Sequence, residues 1–401
     1  MLRLLAAIVQ VPLLGLLLAL PLVSQGRTSS GHDPVVLRFS TVGDSRQEPD
    51  LAATAQDRLW LQNSQAWARI LKEMGQARPH LLFFNGDMIM GYGNAGPVSA
   101  TDVDTVLASG LVRHHVQYAF WRGMVTPLMA QGTYVVPVAG NHEVQCRSSA
   151  GTVCTDASGQ DLKTRRGGKN AIAANEAAWR ANMGDLILDV PRLQAVLPPD
   201  QRVHHIDVDD HATLDQLSSP QHQLSYSFDI GQHHFAIINT DPADADSTAP
   251  TAWLARDLSA ARQRGARHLF VFGHKPAFSY DFAGNQGRAN GLDMVPAARD
   301  AFWAVIEQHL ATYFCGHQHV FNMRQPIKPD GQRSQAWQVI LGSGGSPFDV
   351  KADAMGRQPF DRFYAWAQVR VHRSGKVGID VFGFDEDLGR TRRLQSIELR
   401  H

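Results

Sequence analysis

Five short apolar runs, each closed by glycine and a side chain able to bind a metal ion, constrain this chain more than any other feature. VVLRFSTV (35–42) ends in Gly43-Asp44-Ser45-Arg46, HLLFFN (80–85) in Gly86-Asp87, and YVVPVA (134–139) in Gly140-Asn141-His142-Glu143. HLFVF (268–272) ends in Gly273-His274, and ATYFC (311–315) in Gly316-His317-Gln318-His319. Each run is too short for a helix and reads as a strand. Helical patterns separate them, at 56–75, 111–131, 171–183, 251–265 and 296–309. Strands alternating with helices predict an α/β fold with helices outside a sheet, and ligand residues at the carboxyl ends of the strands then fall along one rim. One rim means one site.

In extended chain, residues i and i+2 face the same side, so His317 and His319 can converge on one ion. Taken alone, that pair reads more readily as solvated loop histidines than as ligands. The full set is Asp44, Asp87, Asn141, His274, His317 and His319, with His142 left over. Carboxylate, amide and imidazole donors suit first-row divalent or trivalent ions, and the absence of thiolates argues against a closed structural zinc site. A glycine before each ligand lets the backbone pass close to the ion. Further strands at 335–342, 363–371 and 377–383, with a hairpin at 224–241 turning at Ile230-Gly231-Gln232, predict a second sheet layer.

The 401 residues carry 38 Lys plus Arg against 38 Asp plus Glu, with a sequence pI of about 7.3. That balance shows no bulk pull toward nucleic acid or an anionic membrane, so a small-molecule substrate is the natural partner. Residues 1–26 carry one arginine, a Leu/Ala/Val run and a small-x-small ending, which predicts a secretory signal peptide cleaved near Gly26. An uncleaved N-terminal anchor is the competing reading, and only then does a membrane enter. In both cases the body lies outside the cytoplasm, periplasmic or secreted. A Gly/Ser linker follows at 27–33. Cys146 and Cys154 bracket RSSAGTV, where an oxidising compartment would permit a local disulfide, leaving Cys315 free.

The order GD…GD…GNHE…GH…GHxH resembles the calcineurin-like metallophosphoesterases, the superfamily that includes the purple acid phosphatases, over about residues 34–322. The resemblance implies a two-layer mixed β-sandwich flanked by helices, a four-layer αββα fold. The phosphoesterase domain would span 34–322 with a lid or insertion at about 143–223, and 323–401 would complete the sandwich. It also implies two metal ions, Fe, Mn or Zn, and a phosphate ester substrate hydrolysed by in-line attack of hydroxide generated at the ion pair. Asp44 and His319 would bind the first ion, Asp87 would bridge, and Asn141, His274 and His317 would bind the second. His142 would protonate the leaving oxygen or stabilise charge on the phosphoryl group.

Many members of the family carry Asp-x-His in the first motif, where this chain has Asp44-Ser45-Arg46. Arginine stays protonated and has no lone pair to donate, so the first ion lacks an expected ligand. The purple acid phosphatases use a tyrosine shortly after the second-motif aspartate, which makes Tyr92 a candidate ligand, although it follows Asp87 by five residues rather than three. Arg46 could instead clamp the substrate phosphate, or form a structural ion pair. Loss of the first-motif histidine also keeps open a catalytically silent metal-binding scaffold or receptor. The pairs His114-His115, His204-His205 and His233-His234 read as surface or hydrogen-bonded core residues. Glu143 reads as an orienter of His142 or as solvated, and Trp60, Trp67, Trp121 and Trp179 as helix-to-sheet packing.

Overall fold

The computed structural model describes residues 33–52, 54–148, 153–155, 160–161 and 168–399. The expected leader at 1–26 lies outside the described residues, and among those described no helix is long and apolar enough to cross a membrane. Residues Val35–His401 form one unit. In chain order its strands are β1 (Val35–Val42), β2 (Leu81–Phe84), β3 (Tyr134–Pro137), β4 (Gln145–Arg147), β5 (Lys169–Ala171), β6 (Val203–Asp207), β7 (Tyr226–Ile230) and β8 (His233–Ile237). They continue as β9 (His268–Phe272), β10 (Thr312–Cys315), β11 (Phe321–Arg324), β12 (Trp337–Leu341), β13 (Phe363–His372), β14 (Val377–Asp385) and β15 (Arg392–Leu399).

Two mixed sheets result, a six-stranded one in the order β15-β14-β13-β1-β2-β3 and a seven-stranded one in the order β11-β12-β10-β9-β8-β7-β6. β1, β2 and β3 run parallel in the first sheet, and β8, β9, β10 and β12 run parallel in the second. The motif strands read as continuous apolar runs because both of their faces are covered. On β2, Phe83 stacks on Phe272 of the opposite sheet at 3.8 Å between ring centroids, while Phe84 turns outward to Trp67 and Trp121 on the helices. Phe39, Phe235, Phe270 and Phe314 complete the aromatic layer between the sheets. The outer face of the second sheet, with Leu269, Val271 and Tyr313, packs on helices Thr251–Gln263 and Pro296–Gln308. Helix, sheet, sheet, helix is the layering of the metallophosphoesterase fold.

Residues beyond 323 enter the heart of the first sheet, where β13 pairs antiparallel with β1. The stretch 143–223 is tied into the second sheet by β6, an edge strand antiparallel to β7. The pattern at 56–75 forms two helices, Ala55–Trp60 and Ser64–Ala77, rather than one. The chain turns left-handed at Leu61 and Asn63 caps the second helix through Ala66 N, because Gln62 is drawn to Met88 O and the Ser45 hydroxyl. Trp60 is accordingly not helix-to-sheet packing: it stacks on Phe120 of helix Gly110–Ala130, with centroids 4.8 Å apart. Cys146 and Cys154 form a disulfide, and Cys315 is buried and unpaired.

Two buried charge arrangements lock this frame. Glu143, fully buried, accepts hydrogen bonds from Asp87 N (2.8 Å) and Gly140 N (2.7 Å) on one oxygen, and from Met88 N (2.7 Å) and Ile89 N (3.1 Å) on the other. It is neither solvated nor bonded to the His142 ring: it staples the loop after β2 to the loop after β3. His234 on β8 sits between Asp229 on β7 (2.6 Å) and Asp257 on the helix above (2.8 Å). Burial works against its charge, but the two carboxylates raise it to about 9.

Two outcomes follow from these locks. In Glu143→Gln, whichever way the amide turns, its NH2 meets backbone donors. A loss of about 2–4 kcal/mol is expected in urea unfolding, and a shift within error of zero would mean the staple is dispensable. Because the folded-state pKa of His234, about 9, exceeds the 6.5 of free imidazole, its contribution is fully present below pH 6.5 and is lost as pH rises through about 9. About 3 kcal/mol of stability should disappear across that window. His234→Gln should remove the decline, as read by denaturant midpoints at pH 6 and pH 9.5.

Candidate metal centre

The expected ligands all leave parallel strands at the same rim: Asp44 after β1, Asp87 after β2, Asn141 after β3, His274 after β9, and His317 and His319 after β10. Asp44, Asp87 and His317 adopt φ of 61°, 58° and 69°. Left-handed backbone is costly for residues other than glycine and persists where surroundings hold it. The holders here are Asp44 N to Gly86 O at 2.9 Å, Asp87 N to Glu143, and His317 N to the Asp44 carboxylate at 3.0 Å. The motif glycines serve the ligands more than the ion. A Cβ on Gly316 would collide with Asp44 Oδ2, and one on Gly86, itself at φ 85°, would strike His274 Nδ1.

Four of the six expected ligands converge tightly. Asn141 Oδ1 lies 2.9 Å from His274 Nε2 and 2.8 Å from His317 Nδ1, and His274 Nε2 lies 3.1 Å from Asp87 Oδ1. Orientations are set from behind: His274 Nδ1 donates to the Asn85 carbonyl at 2.7 Å, and Asn141 Nδ2 donates to the Tyr92 hydroxyl at 2.6 Å. Nε2 of His274 therefore presents its lone pair to two oxygen acceptors, an arrangement that demands a positive charge between them. A metal ion would supply it, and two imidazoles, an amide oxygen and a carboxylate at these separations fit one first-row ion. Without an ion a proton takes that role: burial lowers the His274 pKa, but Asp87 and Asp44 outweigh it and raise it to about 10. Burial also pushes Asp87 up, yet His142, His274 and Arg46 together hold it well below the usual carboxylate range.

The first position is different. His319 Nε2 stands 3.6 Å from Asp44 Oδ1, with Nδ1 committed to Pro347 O at 2.7 Å, so the loop after β12 orients this ring. Asp44, Asp87 and His319 offer three donors. In the fourth place is Arg46, nearly buried, with Nη2 3.5 Å from His319 Nε2 and Nε 3.5 Å from Asp87 Oδ2. The residues present do not complete a second site of the same quality. Tyr92 does not make up the deficit, because its hydroxyl is taken by Asn141 Nδ2 and by Lys169 Nζ at 3.0 Å, on the side of the other position. Its five-residue spacing carries the ring onto His142, with centroids 3.9 Å apart.

His142 directs Nε2 to within 3.7 Å of Asp87 Oδ2 while Nδ1 donates to Met90 O at 2.6 Å. Burial, then Arg46, holds its pKa well below that of free imidazole. Several contributors escape sequence reasoning. The hairpin of β4 and β5, pinned by the disulfide, lays Arg147 and Lys169 against the Tyr92 ring at 4.6 and 5.0 Å. Lys275, buried next to His274, is held by Asp241 (2.5 Å), Asp246 (2.6 Å) and the Ser247 hydroxyl (2.8 Å). Only the position of Lys275 beside an expected ligand signals it in the sequence; Arg147 and Lys169 lie in the stretch expected as a lid or insertion and carry no signal.

The family model for calcineurin-like phosphoesterases matches residues 60–321, a stretch that begins beyond Asp44 and Arg46. A comparison with curated proteins finds no match. Among solved structures the chain is similar to a purple acid phosphatase from yellow lupin (Lupinus luteus) seeds, at 12% identity over 90% of this chain and 53% of that one, with a TM-score of 0.47. It is similar also to a dimetal phosphatase from Danio rerio, at 12% identity over 91% of this chain and 99% of that one, with a TM-score of 0.41. The chain thus spans about half the length of the lupin protein. With the match to the family model covering well over half its length, the chain belongs to the calcineurin-like phosphoesterase family.

Proposed function

We propose that the protein is a metal-dependent hydrolase of phosphate esters, with water attacking phosphorus in line with the leaving oxygen. The observation that carries this reading is the cluster of Asp87, Asn141, His274 and His317, whose acceptors face one another around a point that requires a cation. The family implies a dinuclear centre of Fe, Mn or Zn. When bound, such ions polarise phosphoryl oxygens and make water a stronger nucleophile.

The chain's own residues do the remainder. Asp87, Asn141, His274 and His317 surround the point that would hold an ion, and Asp44 and His319, the remaining expected ligands, flank it beside Arg46. Arg46 presents an N–H to the phosphoryl oxygens in a geometry suited to oxyanions. His142 turns Nε2 into the site, with its tautomer set by the Met90 carbonyl. Its depressed pKa makes it a reluctant base and a strong acid once protonated, and a bound phosphoryl dianion raises that pKa at the moment a proton is needed. Arg147 and Lys169 add positive charge at the rim. A cleft of about 630 Å³ lined by Met90, Tyr92, Asn94, Arg113 and His114 adjoins Tyr92 and leaves room for the leaving group.

The test is hydrolysis of an aryl phosphate monoester and of the corresponding diester by chelated protein reconstituted with Zn, Mn or Fe. Turnover should vanish on chelation and return with metal. His142→Ala should lower kcat roughly a hundred- to ten-thousand-fold with bound metal retained; an unchanged kcat would remove His142 from the chemistry. If neither ester is hydrolysed by metal-filled protein, the scaffold reading takes over.

The reading extends to location outside the cytoplasm, periplasmic or secreted. The hydrophobic leader at 1–26 and the Cys146–Cys154 disulfide support it, since such bridges persist in oxidising compartments. N-terminal sequencing of the exported protein should begin just after Gly26, and recovery of the full-length chain in the membrane fraction would favour an anchor.

A further inference from the structure

We infer that Arg46 stands in for one of the two cations of this site, so that the native protein holds a single metal ion, at Asp87, Asn141, His274 and His317. The inference rests on the proposed metal centre and narrows it. Three observations converge on it.

The first is the way Asp87 divides its two oxygens. Oδ1 faces His274 Nε2 at 3.1 Å and accepts from His142 N at 3.1 Å. Oδ2, the oxygen that a bridging carboxylate would give to a second ion, faces Arg46 Nε at 3.5 Å and His142 Nε2 at 3.7 Å. The carboxylate still bridges two positive centres, but one of them is a guanidinium.

The second is His319. Its Nδ1–H is committed to Pro347 O, so Nε2 carries a lone pair, and the nitrogen of Arg46 that approaches it at 3.5 Å is a donor. Donor and acceptor are matched without an ion. Asp44, the remaining ligand of that position, already accepts from His317 N with both oxygens, at 3.2 and 3.0 Å.

The third is the anchoring of the guanidinium. Nη1 is fixed by Glu48 Oε1 at 2.7 Å, Met90 Sδ lies 3.7 Å from the same nitrogen, and the side chain is only 7% exposed. Buried and tethered at Nη1, the guanidinium keeps its charge within the site, and it cannot deprotonate. A divalent ion among Asp44, Asp87 and His319 would sit next to a fixed positive charge in a site shielded from water, where like charges repel strongly. Nε, buried and without a hydrogen-bond partner at conventional distance, is left for an incoming oxyanion. Arg46 thereby supplies at one position the charge an ion would supply, together with N–H donors that a metal lacks.

Metal content decides the matter independently of turnover. Wild-type protein saturated in turn with Zn, Mn and Fe(II), then dialysed, is analysed by elemental mass spectrometry against protein concentration. About one ion per chain is expected. Two ions per chain would overturn the inference, and no retained ion with any metal would sink the metal-centre reading beneath it. Two variants read the positions separately. His274→Ala should lose the ion, while His319→Ala should keep one ion with its Kd changed less than about threefold; a Kd weakened tenfold or more would show His319 to be a ligand. Arg46→His should raise the content to two, and a folded Arg46→His protein that still binds one would reject the charge-replacement account. The wild-type and His319→Ala measurements stand if Arg46→His fails to fold.

Discussion

A loop that carries a ligand off the end of a strand leaves its backbone N–H groups without sheet partners, and inside a sandwich no water reaches them. In this protein a single carboxylate answers for four such groups. Glu143 accepts from Asp87, Met88 and Ile89 in one loop and from Gly140 in the other. Burial, reinforced by Asp87, pushes its pKa up to about 7, while His274 and the amide donors favour the charged form. The left-handed turn at Asp87 is held by this arrangement, and with it the direction in which the Asp87 carboxylate points. Neighbouring features depend on the same anchor: Asn141 follows Gly140 directly, and His142 N reaches back to Asp87 Oδ1.

Around that anchor the site is a balance of charge as much as of geometry. Asp44 and Asp87 are sunk in the sandwich, where isolated carboxylates would be driven to protonate. For Asp44 burial does dominate, and its pKa rises well above the carboxylate range. Asp87 instead keeps its charge because His142, His274 and Arg46 surround it. The guanidinium is thus part of the electrostatic support of the floor of the site as well as a feature of its mouth. A second ring of charge, Lys275 with Asp241 and Asp246, lies behind His274 and is closed on itself, with Gln145 bonded to both aspartates.

The fold was legible where local pattern and tertiary demand agree. Runs such as HLFVF at 268–272 are strands in the structure to the residue, because apolar side chains on both faces match burial on both faces. The glycine that follows each run marks the crowded rim, and all six expected ligands lie there. What escaped reading depends on partners distant in sequence. Glu143 reads from sequence as an orienter of His142 or as solvated, because three of its four donors lie more than fifty residues away. The break after Trp60 is enforced by the pull of Gln62 toward Met88, which no helical periodicity reports. β6 and β15 have the exposed, polar composition of edge strands and so lack the apolar signature of the centre. The position of Tyr92 was set by the hairpin of β4 and β5, a contact invisible to motif spacing.

The ligands are shared between the two sheets, Asp44, Asp87 and Asn141 leaving the first and His274, His317 and His319 the second. A cation held among Asp87, Asn141, His274 and His317, as proposed above, would rivet the sandwich across its seam. Neither sheet could retain it alone, so every excursion that parts the halves would empty the site, and the free energy of binding would add to the cooperativity of the whole unit rather than to the rigidity of one loop. Occupancy of the site is in that sense a gauge of whether the two sheets are joined.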